Sequence, residues 1–97
     1  NVNTLIGDHV CIHFNSTIGH DAVLEEYCSV MPNATISGND IIGKCSYIGA
    51  GATIIEKIKI GGNSTIGAGA VVINDIPDNV VAVGIPAKVV KNKEKSS

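Results

Sequence analysis

From Ile6 to Val72 every sixth residue is aliphatic: Ile6, Ile12, Ile18, Leu24, Val30, Ile36, Ile42, Ile48, Ile54, Ile60, Ile66 and Val72. All twelve places are filled without a slip of register, and eleven of the twelve residues are β-branched. A helix needs apolar residues at three- and four-residue spacing, and a half-buried strand needs alternation. An unbroken period of six fits neither template. It predicts one small unit stacked on itself, as in a parallel β-helix.

The other places of the hexad describe how the unit turns. With the aliphatic place counted as first, the fourth is Asn, Asp or Gly in eight units (Asn15, Asp21, Asn33, Asn39, Gly51, Asn63, Gly69 and Asp75). These residue types tolerate positive φ, so each unit reads as a short strand followed by a tight turn. The second place is Gly in six units, and the fifth is Ser, Ala or Cys in eight, which leaves room inside the turn for the aliphatic side chains. Three strands and three turns close a triangular coil of eighteen residues, and residues eighteen apart then stack about 4.8 Å from one another. The expected fold is all-β: a parallel β-helix of roughly four triangular coils over residues 1–77. Asn1 to Leu5 read as the end of an earlier coil, and the repeat stops at the turn Pro77-Asp78-Asn79. Residues 78–90 are expected to form a capping strand across the open end, followed by a solvated tail over 91–97. The period leaves the hand of the coil open, because parallel crossovers in most folds are right-handed.

Composition narrows the function classes. The 97 residues carry a net charge of −2, every basic residue is Lys, and the only aromatic rings besides His are Phe14, Tyr27 and Tyr47. That excludes a nucleic-acid surface. No apolar run has the length of a membrane span, and no signal-peptide pattern is present. Cys11, Cys28 and Cys45 lie seventeen apart, one short of the coil, so they do not stack as partners. They read as reduced thiols of a cytoplasmic protein. A prism this short has a narrow core and an open end, which predicts an oligomer.

Candidate chemistry gathers around one histidine. His9, His13 and His20 fall in the fourth, second and third places of their hexads and so face different directions. No Cys or carboxylate completes a ligand set, and no metal site is predicted. His20 lies at a turn beside Asp21, in a place that points away from the prism. Imidazole exchanges protons near neutral pH and is suited to general-base work, more so with a carboxylate on its other nitrogen. Gly38, eighteen residues later, should lie beside it on the next coil. A glycine there offers a backbone N–H of the kind that stabilises an oxyanion. Phe14, Pro32, Ala50 and Ala68 form another column. Its small upper residues either leave a shallow groove for an extended ligand or simply suit a tight turn. Thr17, Thr35 and Thr53 also stack, but the residues two places on are Gly19, Ser37 and Ile55, so no flat threonine array for ice binding is formed.

The hexads resemble the left-handed parallel β-helix of the hexapeptide-repeat acyltransferases, and that resemblance implies a left-handed coil. From Asn15 to Lys91 the chain is similar to the catalytic half of the bacterial sugar acetyltransferases, the sialic-acid O-acetyltransferases and nucleotide-amino-sugar N-acetyltransferases. The matching segments are IGHD (Ile18 to Asp21), MPNATISGN (Met31 to Asn39), IGAGATII (Ile48 to Ile55), IGAGAVV (Ile66 to Val72) and DIPDNVVAVGIPAKVVK (Asp75 to Lys91). The resemblance implies an acetyl-CoA-dependent transferase acting on an amine or hydroxyl of a sugar or nucleotide-linked sugar, assembled as a homotrimer. It places His20 where the general base sits, Asp21 where an acidic partner supports it, and Gly38 where a backbone amide faces the acetyl carbonyl. Ala50 and Ala68 fall where main-chain groups hold the pantetheine arm between two subunits, and Lys88 and Lys91 near the cofactor phosphates. Ser29 stands where some members carry a second histidine in contact with the cofactor. Members often have an upstream nucleotide-sugar-binding domain, for which no part of this sequence accounts. A second reading is a non-catalytic β-helix that trimerises or carries another domain.

Overall fold

A computed structural model describes residues 4–93 and contains strands and turns but no helix. Each hexad contributes a two-residue strand, and every third strand joins the same sheet. The first sheet holds β1 (Leu5–Ile6), β4 (Val23–Leu24), β7 (Ile41–Ile42) and β10 (Lys59–Ile60). The second runs through β2 (Cys11–Ile12), β5 (Ser29–Val30), β8 (Tyr47–Ile48) and β11 (Thr65–Ile66) to β13 (Val80–Val83) and β14 (Lys88–Asn92). The third holds β3 (Thr17–Ile18), β6 (Thr35–Ile36), β9 (Thr53–Ile54) and β12 (Val71–Val72). Within the coils all pairings are parallel at the eighteen-residue register, as in Leu24↔Ile42 and Thr35↔Thr53. The result is a left-handed parallel β-helix of about four coils.

The aliphatic column is the core. Leu24, Val30, Ile36, Ile42, Ile48, Ile54, Ile60, Ile66 and Val72 are all fully buried. The first coil is not: Ile6 is 51% exposed and Ile12 39%, so the prism is uncovered at this end of the described chain.

The corners carry a hydrogen-bond ladder of their own. From Tyr27 to Gly69 the fourth-place N–H donates to the third-place carbonyl one rung earlier, as in Asn33 to Phe14, Asn39 to His20, Gly51 to Pro32 and Gly69 to Ala50. This geometry requires positive φ at the fourth place, and His9, Tyr27, Cys45 and Lys57 adopt it as well as the expected Asn, Asp and Gly residues. The left-handed conformation costs a side-chain-bearing residue about 1–2 kcal/mol, so at these four places the stacking of the coil overrides local preference. Asp75 departs from the pattern, with no positive φ; its Oδ1 instead accepts the Lys59 N–H at 2.9 Å. The fifth place does more than leave room. Cys28 Sγ, Ser46 Oγ and Ser64 Oγ stack at one corner and donate to the carbonyls of Gly43, Gly61 and Pro77 on the rung above.

The end of the chain differs from the single capping strand expected over 78–90. β13 joins β11 in parallel and buries Val80 and Ala82 in the core, so it extends the second sheet. Residues 84–87 then turn across the start of β12, where Val71 N–H donates to Gly84 O and Ala87 N–H to Val71 O. β14 returns antiparallel to β13 and stays exposed along its whole length. The tail expected from Lys91 therefore begins later: Lys91 and Asn92 are paired with Val81 and Val80. Lys93 Nζ donates to Asn63 O and to Thr65 Oγ1. Residues 1–3 and 94–97, expected as part of an earlier coil and of the tail, lie outside the described residues.

Ile48→Ala, in the middle of the column, should destabilise the chain by about 2–5 kcal/mol in urea unfolding. Ile6→Ala, at the uncovered end, should cost about 1 kcal/mol or less.

Candidate active site

The seat of His20 follows from the coil. The turn between β3 and β4 carries Gly19-His20-Asp21, and the turn between β6 and β7, one rung later, carries Ser37-Gly38-Asn39. The corner ladder ties them together, with Asn39 N–H donating to the His20 carbonyl at 2.9 Å. The imidazole packs against Gly38 at its Nε2 end: a Cβ at that position would come within 2.7 Å of Nε2 and 3.0 Å of Cε1. Only glycine admits the ring there. Gly19 is required for the same reason on the backbone side, since a Cβ on it would collide with the Gly38 nitrogen. The Gly38 N–H makes no hydrogen bond among the described residues.

His20 Nδ1 is 3.2 Å from Asp21 Oδ2. With Nδ1–H donating to that carboxylate, Nε2 keeps its lone pair, and Nε2 is the nitrogen nearest Gly38. Both side chains are open to solvent, at 63% and 50% exposure, so an acceptor has access to the ring. A nucleophile at Nε2 would find a base there, and the residue beside the ring carries an amide donor unpaired among the described residues.

The other expected residues lie elsewhere in the chain. Ala50 and Ala68 are exposed at the corner between the second and third sheets, one full sheet away from the His20 corner. Ser29 sits on the outer face of β5, in register with Cys11 and Tyr47. Lys88 and Lys91 are exposed on β14. One chain therefore brings His20, Asp21 and Gly38 together and leaves Ser29, Ala50, Ala68, Lys88 and Lys91 apart from them. His9 stacks its ring on Tyr27 at another corner, 4.9 Å between centroids. Among the described residues no three His, Cys, Asp or Glu side chains gather as metal ligands. The three cysteines are free, and burial pushes the Cys28 thiol up to about 11. A groove over the first sheet, lined by Glu25, Lys44, Lys59 and Asp78, contains none of the expected residues.

Sequence reasoning missed Asp40. It is fully buried at the His20 corner and accepts Ser37 N–H at Oδ2 (2.9 Å) and Ile58 N–H at Oδ1 (2.7 Å). Burial pushes its carboxyl up from 3.8 to about 6, the two N–H donors oppose the shift, and nearby Glu56 adds to it. The signal was present: Asp40 is the one charged residue in a fifth place otherwise held by small or apolar side chains.

Comparison with known proteins agrees with this architecture. Residues 3–38 match the family model described as bacterial transferase hexapeptide (six repeats). The hexapeptide repeat is thus matched over residues 3–38, and the fold is similar to that of acetyltransferases of solved structure. Serine acetyltransferase from Neisseria gonorrhoeae is 33% identical, with a TM-score of 0.88 over 96% of this chain and 40% of that one. Soybean serine acetyltransferase is 35% identical, with a TM-score of 0.84 over 90% of this chain and 40% of that one. Perosamine N-acetyltransferase from Caulobacter crescentus, solved as a variant with CoA and GDP-perosamine bound, is 30% identical, with a TM-score of 0.75 over 92% of this chain and 51% of that one. The chain thus spans between two fifths and about half of the length of these relatives. No curated protein sequence matches it.

Two outcomes are expected from this geometry. Gly38→Ala should displace the imidazole, seen as a changed His20 ring position in a crystal structure of the variant. Asp40, whose folded pKa lies above its ordinary value, binds its proton more tightly in the native state; its contribution to stability is full below 3.8 and is lost as pH rises through about 6. Denaturation midpoints measured across that interval should therefore fall with rising pH more steeply in the wild type than in Asp40→Asn.

Proposed function

We propose that this chain is the catalytic β-helix of an acetyl-CoA-dependent acetyltransferase whose acceptor is an amine or hydroxyl of a nucleotide-linked sugar. The observation that carries the reading is the imidazole of His20 resting on Gly38, with Nδ1 on Asp21 and Nε2 nearest the glycine, whose own N–H is unpaired among the described residues. The hexapeptide match and the acetyltransferase neighbours support the reaction class. The bound CoA and GDP-perosamine of the Caulobacter relative support the choice of co-substrate and acceptor.

In this mechanism Nε2 of His20 takes the proton of the acceptor as its nitrogen or oxygen attacks the thioester carbonyl. The tetrahedral oxyanion is held by the N–H of Gly38. The C–S bond then breaks, the proton passes from the imidazolium to sulfur, and coenzyme A leaves as the thiol. Asp21 holds the imidazole tautomer and steadies its charged form. No covalent enzyme intermediate is required. Ala50 and Ala68 would line the pantetheine arm, and Ser29, Lys88 and Lys91 would contact other parts of the cofactor. Because those residues lie away from His20 in one chain, the complete site is assembled between copies, which supports a homotrimer with its sites at the seams.

The test uses purified protein, acetyl-CoA and a panel of UDP- and GDP-linked 4-amino sugars with L-serine as comparison, following free thiol. Turnover with a nucleotide-linked sugar is expected, and His20→Ala should lower it by about 10²–10⁴-fold while calorimetric binding of acetyl-CoA is retained. Turnover of L-serine alone would replace the sugar acceptor. Absence of saturable acetyl-CoA binding would leave the non-catalytic scaffold instead.

A further inference from the structure

Asp40 is a buried carboxylate to which the mechanism above gives no part. It lies in the fifth place at the His20 corner, in the same column as Ala22 and Ile58. At six turns, that of Asp40 included, the fifth-place N–H closes the turn onto the second-place carbonyl: Ala22 to Gly19, Ala34 to Met31, Asp40 to Ser37, Ser46 to Gly43, Ala52 to Gly49 and Ala70 to Gly67. The turn above Gly38 does not close this way. Its Ile58 N–H donates to Asp40 Oδ1 on the rung below.

The other carboxylate oxygen accepts Ser37 N–H at 2.9 Å, which that amide shares with Ile54 O at 3.3 Å. One side chain thus adds a second closure to the Ser37–Asp40 turn and ties it to the next rung. Gly38 lies in the middle of that turn, under the imidazole. Among the described residues, Asp40 is the one side chain hydrogen-bonded to the backbone of this turn. Five turns stack without such a carboxylate, so the fold itself does not call for one.

We infer that Asp40 is a positioning residue for acetyl transfer: by holding Ser37 N–H and Ile58 N–H on one carboxylate it sets the Gly38 amide against His20 Nε2. The inference rests on the roles proposed above for His20 and Gly38. It asks for placement only; Asp40 touches neither acceptor nor cofactor. A shift of about 1 Å in such a donor is enough to cost up to roughly a hundredfold in rate.

The test compares wild type, Asp40→Asn, Asp40→Ala and His20→Ala, using acetyl-CoA and whichever acceptor of the panel turns over fastest. Asn preserves shape but offers one acceptor oxygen where two N–H groups converge. In Asp40→Asn, kcat should fall about tenfold, with KM for acetyl-CoA within roughly twofold because Ala50 and Ala68 belong to another corner. Asp40→Ala should fall further. In NMR spectra of Asp40→Asn the Gly38 amide peak should move while those of Ala50 and Ala68 stay in place. If Asp40→Ala does not fold, Asp40→Asn decides alone. A wild-type kcat or an unmoved Gly38 peak in Asp40→Asn, alongside an inactive His20→Ala, would overturn the inference and leave the base in place. An active His20→Ala would overturn both.

Discussion

Vertical backbone hydrogen bonding at a spacing of eighteen residues is the constraint on which this molecule depends. A two-residue strand has too few bonds to stand alone, and an isolated pair of short strands is marginal in water. Stacked in register, each strand is bonded above and below, and the corners add a second ladder from the fourth-place N–H to the third-place carbonyl of the rung beneath. The aliphatic column is buried because this ladder holds it in line, and the ladder persists because the column fills the space within it. That mutual dependence explains why Tyr27, Cys45 and Lys57 accept a backbone conformation that their side chains disfavour.

The same ladder makes a site out of residues distant in sequence. His20 and Gly38 are neighbours because a corner repeats, and the glycine at position 38 turns proximity into contact by leaving the imidazole nothing to clash with. Asp21 is supplied by the turn itself. The His20 corner and the Ala50 corner sit on opposite sides of the third sheet, so the coil assigns the proposed base and the proposed cofactor column to different edges of the prism.

Much of this was legible in the sequence because a period of six is a backbone property written in side chains. The aliphatic column, the coil length and the pairing of His20 with Gly38 all follow from counting. What counting missed is local. Nothing in the period says that the apolar segment after Asn79 would turn at Gly84 and return as β14, since two short strands and one long one present the same run of valines. The hydrogen-bonding role of Cys28, Ser46 and Ser64 was hidden behind their small size. Asp40 stood out by charge alone, and its two N–H partners lie three residues before it and eighteen after it, a pairing visible only once the rungs are stacked.

The corner ladder also governs how such a chain tolerates changes in length. A single inserted residue would shear every carbonyl from its amide above the insertion and turn the aliphatic column outward. A block of eighteen, the repeat set by Leu24↔Ile42, adds one complete rung and returns every later residue to its own corner. The prism therefore grows or shortens in whole rungs, and doing so changes the height between the imidazole and the far end of the stack without rotating it out of its edge.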